Sequence, residues 1–176
     1  MFVFRVDGRG GQGTETATRI ISRAGFLAGL KTQDFFLAGL ERRCSHVTGM
    51  VKMDKYPILS RQTEQADFLL VMDMSLEIND LIKSVKDGGV ALFNTTERVD
   101  MNYLKKHKIK GYHVDATNIA LATINKDIPN TVMVGALAKI FGMITLKNMK
   151  KGTEIELGLD EANKKAIDEG YRGVKR

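Results

Sequence analysis

The chain has 176 residues, 43% of them hydrophobic and 27% charged, the make-up of one globular domain with a sizeable core. Its 27 basic and 21 acidic residues leave a net charge of +6; no aromatic-bearing basic module accompanies that charge, so an anionic cofactor or an acidic partner is expected and nucleic acid is not. A single cysteine, Cys44, excludes an intrachain disulfide, a Cys-x-x-Cys metal site and an iron–sulfur cluster on this chain, and suits a reducing cytoplasm.

Met1 runs straight into an apolar first strand, Phe2–Val6, so no secretory leader is expected. No apolar stretch reaches the ~18 residues of a membrane span. After the strand comes Gly8-Arg9-Gly10-Gly11-Gln12-Gly13, a turn almost free of side chains that opens a helix. Glycine permits positive φ and close backbone approach, and a helix start offers unpaired N–H groups to phosphate or carboxylate. Gly8, Gly10 and Gly13 also satisfy the dinucleotide pattern G-x-G-x-x-G. The turn either faces an anion or nucleotide, or allows tight strand–helix packing. The helix is expected from about Gln12 to Leu30, with Ala17, Ile20, Ile21, Ala24, Leu27 and Ala28 as its core stripe. Gly25 and Gly29 would admit a close neighbour.

Gln33–Leu40 reads as a short strand plus loop, Val47 to Met53 as a half-buried strand by its alternation, and Lys55–Gln65 as loop. Asp67 to Met72 is a continuous apolar run, as in a strand covered on both faces. A helix over Met74–Val85, a turn at Asp87-Gly88-Gly89, a strand over Val90 to Phe93, a short helix over Tyr103–Lys108 and a strand over Ile109–Val114 follow. Ala116–Ile124 is a helix behind Asp115, and Asn130 opens a buried helix over Thr131–Leu146. Asp115-Ala116-Thr117 and Asn130 read first as helix caps. Ile155–Leu159 would be a connector and Asp160–Glu169 a terminal helix. Strands alternating with helices predict an α/β fold: a Rossmann-like, mostly parallel sheet flanked by helices in three layers, a single domain over 1–176 with a C-terminal extension from about 147. Ligands of such sheets sit at the carboxyl ends of strands where the order reverses, and the glycine turn lies at one such end.

Candidate chemistry is sparse. Asp34 falls 21 positions after Gly13, where a dinucleotide fold wants a ribose-binding acid, but no clear strand leads into it; a surface or turn position is the alternative. Glu41-Arg42-Arg43-Cys44-Ser45-His46 groups acid, base, thiol and imidazole. Arg42 and Arg43 suit bidentate contact with phosphate or a partner carboxylate, while a nucleophilic Cys44 would need a base placed in space. His46, His107 and His113 show no metal-ligand spacing. The basic run Lys105-Lys106-His107-Lys108 with Lys110, and the eight Lys or Arg residues from Lys147 onward, read as solvated surface.

One family shows the same blocks in the same order: Gly8 to Gly13, Glu41-Arg42-Arg43, Tyr56-Pro57-Ile58, Ala66-Asp67 heading a buried strand, Asp115-Ala116-Thr117, Asn130 with Gly135-Ala136, and Glu169-Gly170-Tyr171. The chain resembles, over roughly Phe2 to Tyr171, the gamma subunit of 2-oxoacid:ferredoxin oxidoreductases. The resemblance implies a complex that converts a 2-oxoacid and coenzyme A to acyl-CoA and CO₂, or runs in reverse, passing electrons to ferredoxin. It further implies alpha, beta and delta subunits as partners, with thiamine diphosphate and iron–sulfur clusters on them. This chain would hold no cofactor tightly and carry no catalytic residue, and would dimerise when isolated. Gly8, Gly10, Gly11, Gln12, Gly13 and Thr14, assisted by Arg42 and Arg43, would meet coenzyme A. Cys44-Ser45-His46 departs from the glycine and small residues or proline that follow the acid–arginine block in many pyruvate-type members, which leaves the oxoacid open. A free-standing NAD(P)-binding oxidoreductase and a purely structural assembly subunit are the rival readings.

Overall fold

The computed structural model describes residues 1–38, 45–60, 62, 64–97, 99, 101–158 and 160–176. In chain order the elements are β1 Phe2–Arg9, α1 Thr14–Leu27, β2 Lys31–Ala38, β3 His46–Asp54, β4 Ala66–Val71, α2 Ile78–Lys83, β5 Val85–Asn94, α3 Met101–Lys106, β6 Lys110–Val114, α4 Ala116–Ile124, α5 Asn130–Phe141, α6 Leu146–Leu157 and α7 Glu161–Gly173. The strands form one sheet in the order β2-β3-β1-β4-β5-β6. β3 alone runs against the rest, pairing antiparallel with β1 and β2, while β1, β4, β5 and β6 pair in parallel. The chain belongs to the three-layer α/β class its alternation predicts.

Alternation along the strands divides the core in two. Phe4, Val6, Val51, Leu70, Leu92 and Val114 point to the layer of α1, α4, α5, α6 and α7. Leu69, Val71, Ala91 and Phe93 point the other way, to α2 and α3. Phe141 at the end of α5 meets the rings of Phe2, Phe4 and Phe68 edge-on, with centroids 5.2, 5.0 and 4.9 Å away, which seats that helix on β1 and β4. α1 buries Ala17, Ile20, Ile21 and Ala24 completely, and each isoleucine so buried contributes about 1.5–3 kcal/mol.

Several local expectations are corrected. α1 stops at Leu27, which is 39% exposed, and Ala28 is its cap, so the stripe ends at Ala24. Gly25 does admit a neighbour, since a Cβ there would lie 2.6 Å from Met53 Sδ, whereas Gly29 has open space and a positive φ of 86°. β3 is buried from Thr48 to Met53, more than its alternation suggests, because it lies between β2 and β1 rather than at a margin. Asp87-Gly88-Gly89 is no turn between elements: it is a bulge inside β5, where the register with β4 shifts between Ala66 and Phe68. The helix expected from Met74 shrinks to six residues, because Asp73 accepts hydrogen bonds from the Ser75 amide and hydroxyl and holds the chain in a turn.

The largest correction is at the C-terminal end. Gly142 takes φ 71° and ends α5 at Phe141, the left-handed conformation that stops a helix. A further helix, α6, then begins behind Thr145, whose hydroxyl accepts the Asn148 N–H at 3.2 Å. α6 and α7 bury Met149, Ala166 and Ile167 in the same core as α1 and α5. No helix of the described residues is long and apolar enough to cross a membrane.

Candidate anion-binding cleft at the glycine turn

The chain leaves β1 at the gap between β1 and β4, where the strand order reverses. Residues 9–13 close on themselves there: Arg9 N–H donates to Gln12 Oε1 at 2.8 Å and Gln12 N–H to the Arg9 carbonyl at 3.1 Å. The turn is then tied across the gap. Gln12 Nε2 donates to Asp73 Oδ2 at 2.7 Å, and Arg9 Nε to Ser75 Oγ at 2.9 Å. Gln12 therefore braces the turn from within. Gly8 and Thr14 also serve packing, because a Cβ on Gly8 would come 2.5 Å from the buried Thr14 hydroxyl.

Burial by itself raises the Asp73 carboxyl, but hydrogen bonds from Ser75 and Gln12 and the nearby Arg9 charge outweigh it and hold the group below its ordinary value. A carboxyl lowered on folding stabilises the fold above its unfolded pKa of about 3.9, and that stabilisation disappears as the pH falls through the folded value. Asp73→Asn is thus expected to cost about 1 kcal/mol near neutral pH and nothing once the wild-type carboxyl is protonated. Urea titrations of both forms near neutrality and in acid check this; a gap of equal size in acid would contradict it.

Beneath the turn, Asp7 is fully buried and joins β1 to β3. Arg5 Nε lies 2.7 Å from Asp7 Oδ2, and on Oδ1 the carboxylate meets His46 Nε2 at 2.7 Å and accepts the Thr48 hydroxyl at 2.6 Å. Arg5 and Asp7 lie two residues apart and so share a sheet face. His46 is accordingly part of the scaffold under the turn. Gly10 N–H is also used, donating to the Ser45 carbonyl at 2.9 Å.

Other amides remain. The N–H groups of Gly11, Gly13, Thr14, Glu15 and Thr16 meet no acceptor among the described residues. Gly11 and Gly13 take φ 102° and 79°, conformations that glycine adopts without strain. Gly13 has a second requirement, because a Cβ would lie 2.7 Å from Asn130 Cγ and closer still to the amide nitrogen. Asn130 is 4% exposed; Pro129 holds the cap position, and the Asn130 side-chain oxygen accepts the Thr131 N–H at 2.7 Å. Asn130 thus joins α5 to the glycine turn. Asp115 caps α4 as expected, accepting the Asn118 N–H at 3.2 Å.

These amides face a cleft of about 530 Å³ between the start of α1, the loop joining α4 to α5, and the start of α7. That volume suits a nucleotide-sized ligand. Asp160 caps α7 by accepting the Ala162 N–H at 2.9 Å, and at the start of α5 the Thr131 N–H is taken by Asn130, whereas no side chain caps the start of α1. Arg9 lies at the rim but is engaged by Ser75 and Asp73. Lys126, on the opposite wall, makes no ion pair or hydrogen bond among the described residues. No local pattern marks Lys126, which reaches the cleft because Asn125, at φ 54°, ends α4 and turns the chain toward the glycines.

Of the expected site residues, Gly10, Gly11, Gly13 and Thr14 line the cleft, while Gly8 and Gln12 support it. Arg42, Arg43 and Cys44 lie outside the described residues. Asp34 sits within β2 at the margin of the sheet, bonded by Ser22 Oγ at 2.7 Å, with β3 between it and β1. It therefore offers no ribose ligand, and the nicotinamide reading loses its acid.

The profile of the pyruvate ferredoxin/flavodoxin oxidoreductase family matches residues 3–173. The common gamma subunit of the pyruvate/ketoisovalerate oxidoreductases of Thermococcus kodakarensis is 36% identical over 177 residues, covering 97% of this chain and 96% of that one. Pyruvate oxidoreductase subunit PORC of Thermotoga maritima superposes with a TM-score of 0.85 at 30% identity, over 99% and 97% of the two chains. The 2-oxoglutarate:ferredoxin oxidoreductase of Magnetococcus marinus, solved with 2-oxoglutarate, coenzyme A and succinyl-CoA, shares the fold with a TM-score of 0.80 at 20% identity; 97% of this chain corresponds to 30% of that longer one.

Proposed function

The chain belongs to the pyruvate ferredoxin/flavodoxin oxidoreductase family as a gamma subunit, and from that premise we propose that its glycine turn receives the phosphate groups of coenzyme A within an assembled 2-oxoacid:ferredoxin oxidoreductase. The carrying observation is the row of unsatisfied amides at the start of α1, opening on a cleft of nucleotide size. Oriented N–H groups and the positive end of the helix favour a phosphate there. Lys126 supplies a charge from the facing wall, and Asn130 holds Gly13 in place. Arg42 and Arg43 are proposed to assist, because they precede by two or three residues the Ser45 carbonyl bonded to Gly10.

The reaction of the complex is the oxidative decarboxylation of a 2-oxoacid. A 2-oxoacid and coenzyme A give acyl-CoA, CO₂, one proton and two electrons, and the electrons go to ferredoxin. Thiamine diphosphate and iron–sulfur chemistry are assigned to alpha, beta and delta companions, with the complex in the cytoplasm. This chain binds and orients the thiol carrier by its phosphate end, and such positioning accelerates a two-substrate step by removing its orientational cost. We also propose that the chain self-associates when isolated. A free-standing nicotinamide enzyme is not supported: the relatives are subunits of ferredoxin-linked complexes, and Asp34 is turned into an edge strand.

Calorimetric titration of the assembled complex with coenzyme A tests the site. Lys126→Gln should weaken binding by about tenfold, the value of one charge-assisted contact, and Lys126→Arg should restore most of it. Equal affinities for wild type and Lys126→Gln would remove the lysine from the site. A wild-type complex that binds coenzyme A with the turn unaltered in solvent exposure would remove the turn.

A further inference from the structure

Backbone amides alone do not choose a ligand, and at the start of α1 one side chain shares their condition. Asn130 opens α5 on the wall of the glycine-turn cleft and is 4% exposed. Its Oδ1 accepts the Thr131 N–H at 2.7 Å, which settles the orientation of the amide. The NH₂ end then lies against the turn: of the Asn130 atoms, the amide nitrogen is the one a Cβ on Gly13 would approach most closely. Neither N–H of that group meets an acceptor among the described residues.

A buried amide normally uses both ends, because an unpaired donor has given up its bonds to water for nothing. Asn94, at the end of β5, shows the ordinary arrangement. Its Nδ2 donates to the Met72 carbonyl and to Thr117 Oγ1, both at 2.9 Å, and its Oδ1 accepts the Ala116 N–H at 2.9 Å. Asn130 is more deeply buried and half as well served. The acids on the cleft are already taken: Asp160 accepts the Ala162 N–H at 2.9 Å and Asn163 Nδ2 at 2.6 Å, and Glu15 pairs with Arg19.

We propose that Asn130 binds the ligand itself, donating through Nδ2 to a phosphate oxygen that the amides of Gly11, Gly13 and Thr14 also hold. With Oδ1 committed to Thr131, the residue offers the cleft donors only. It therefore selects a ligand that brings negative oxygen atoms and rejects one that presents donors of its own. The proposal rests on the reading of the turn as the phosphate site for coenzyme A, and it adds the specificity-determining side chain of that site. Coenzyme A has two sources of such an oxygen, its diphosphate and its 3′-phosphate.

Asn130→Asp separates ligand binding from support of the turn. It keeps an oxygen for the Thr131 N–H, and a carboxylate at a helix start is favourable. The melting temperature of the purified chain should therefore stay at or above that of the wild type. The same carboxylate would stand against the incoming phosphate, so in calorimetric titration of the assembled complex the affinity for coenzyme A should fall by at least about a hundredfold. Asn130→Ala, which adds no charge and serves if Asn130→Asp does not fold, should bind about tenfold more weakly. Dephospho-coenzyme A identifies the oxygen: an equal penalty with both ligands supports contact with the diphosphate, and a penalty seen with coenzyme A alone supports contact with the 3′-phosphate. Wild-type affinity in both Asn130 variants, with Lys126→Gln still weakened, would overturn the role of Asn130 and leave the phosphate site standing. Wild-type affinity in all three would remove the cleft as well.

Discussion

Gly170→Ala is expected to destabilise the domain by at least about 3 kcal/mol, the upper end of what overpacking costs. α5 and α7 cross at two glycines. A Cβ on Gly170 would lie 2.8 Å from the Val132 carbonyl carbon and closer to its oxygen; one on Gly135 would lie 2.9 Å from the Ile167 carbonyl carbon, again closer to its oxygen. The obstacles are backbone atoms, which cannot rotate away as a side chain does, so α7 must shift bodily. α5 is buried over Asn130 to Ala138, so such a shift opens the core of the helical layer. For a chain of this size the loss corresponds to a fall of about 6–12 °C in melting temperature. Gly135→Ala should behave alike, and the double variant should cost less than the sum, because one displacement of α7 relieves both clashes. Gly173 is the internal control: a Cβ there would meet Ile119 Cδ1 at an ordinary 3.4 Å, and Gly173→Ala should be neutral. Thermal unfolding followed by circular dichroism decides; a melting temperature for Gly170→Ala close to that of Gly173→Ala would refute the crossing as described.

Gly13→Ala should carry the second large effect, on binding as well as stability. Its φ of 79° costs an L-residue about 1–2 kcal/mol. The new methyl group would also meet the buried Asn130 amide. Together these should cost about 2–4 kcal/mol, and the displaced turn should lose most of its affinity for coenzyme A. Removing the obstacle isolates the two causes. In the Gly13→Ala, Asn130→Ala double variant the clash is gone and the backbone strain persists, so the coupling energy should be favourable by about 1 kcal/mol. Strict additivity in denaturant titrations would show that Asn130 does not press on Gly13.

The same glycines explain how far the sequence could be read. Gly13 announces itself because a left-handed helix entry has few alternatives, and the turn, β1 and the start of α1 follow from it. Gly135-Ala136 and Glu169-Gly170-Tyr171 stand far apart in sequence; only packing shows that they form one helix crossing, with Lys139 Nζ 5.9 Å from the Tyr171 ring centre. Asp87-Gly88-Gly89 misleads because a bulge and a turn make the same local demands on the backbone. α6 leaves little trace, since it buries only Met149, Gly152 and Thr153 and carries charges elsewhere. β2 was half legible: an edge strand has neither the alternation of a half-covered strand nor the apolar run of a covered one. Lys126 and the start of α7 reach the cleft through tertiary packing, for which a single sequence holds no signal.

Deuterium exchange of the assembled complex, read peptide by peptide with and without coenzyme A, bears most directly on the role of the turn. Amides of residues 11–16 should exchange more slowly when coenzyme A is present, with smaller changes around Lys126. Protection confined to the companion subunits, with the first turn of α1 exchanging at its original rate, would contradict the assignment of this chain as the phosphate-receiving subunit.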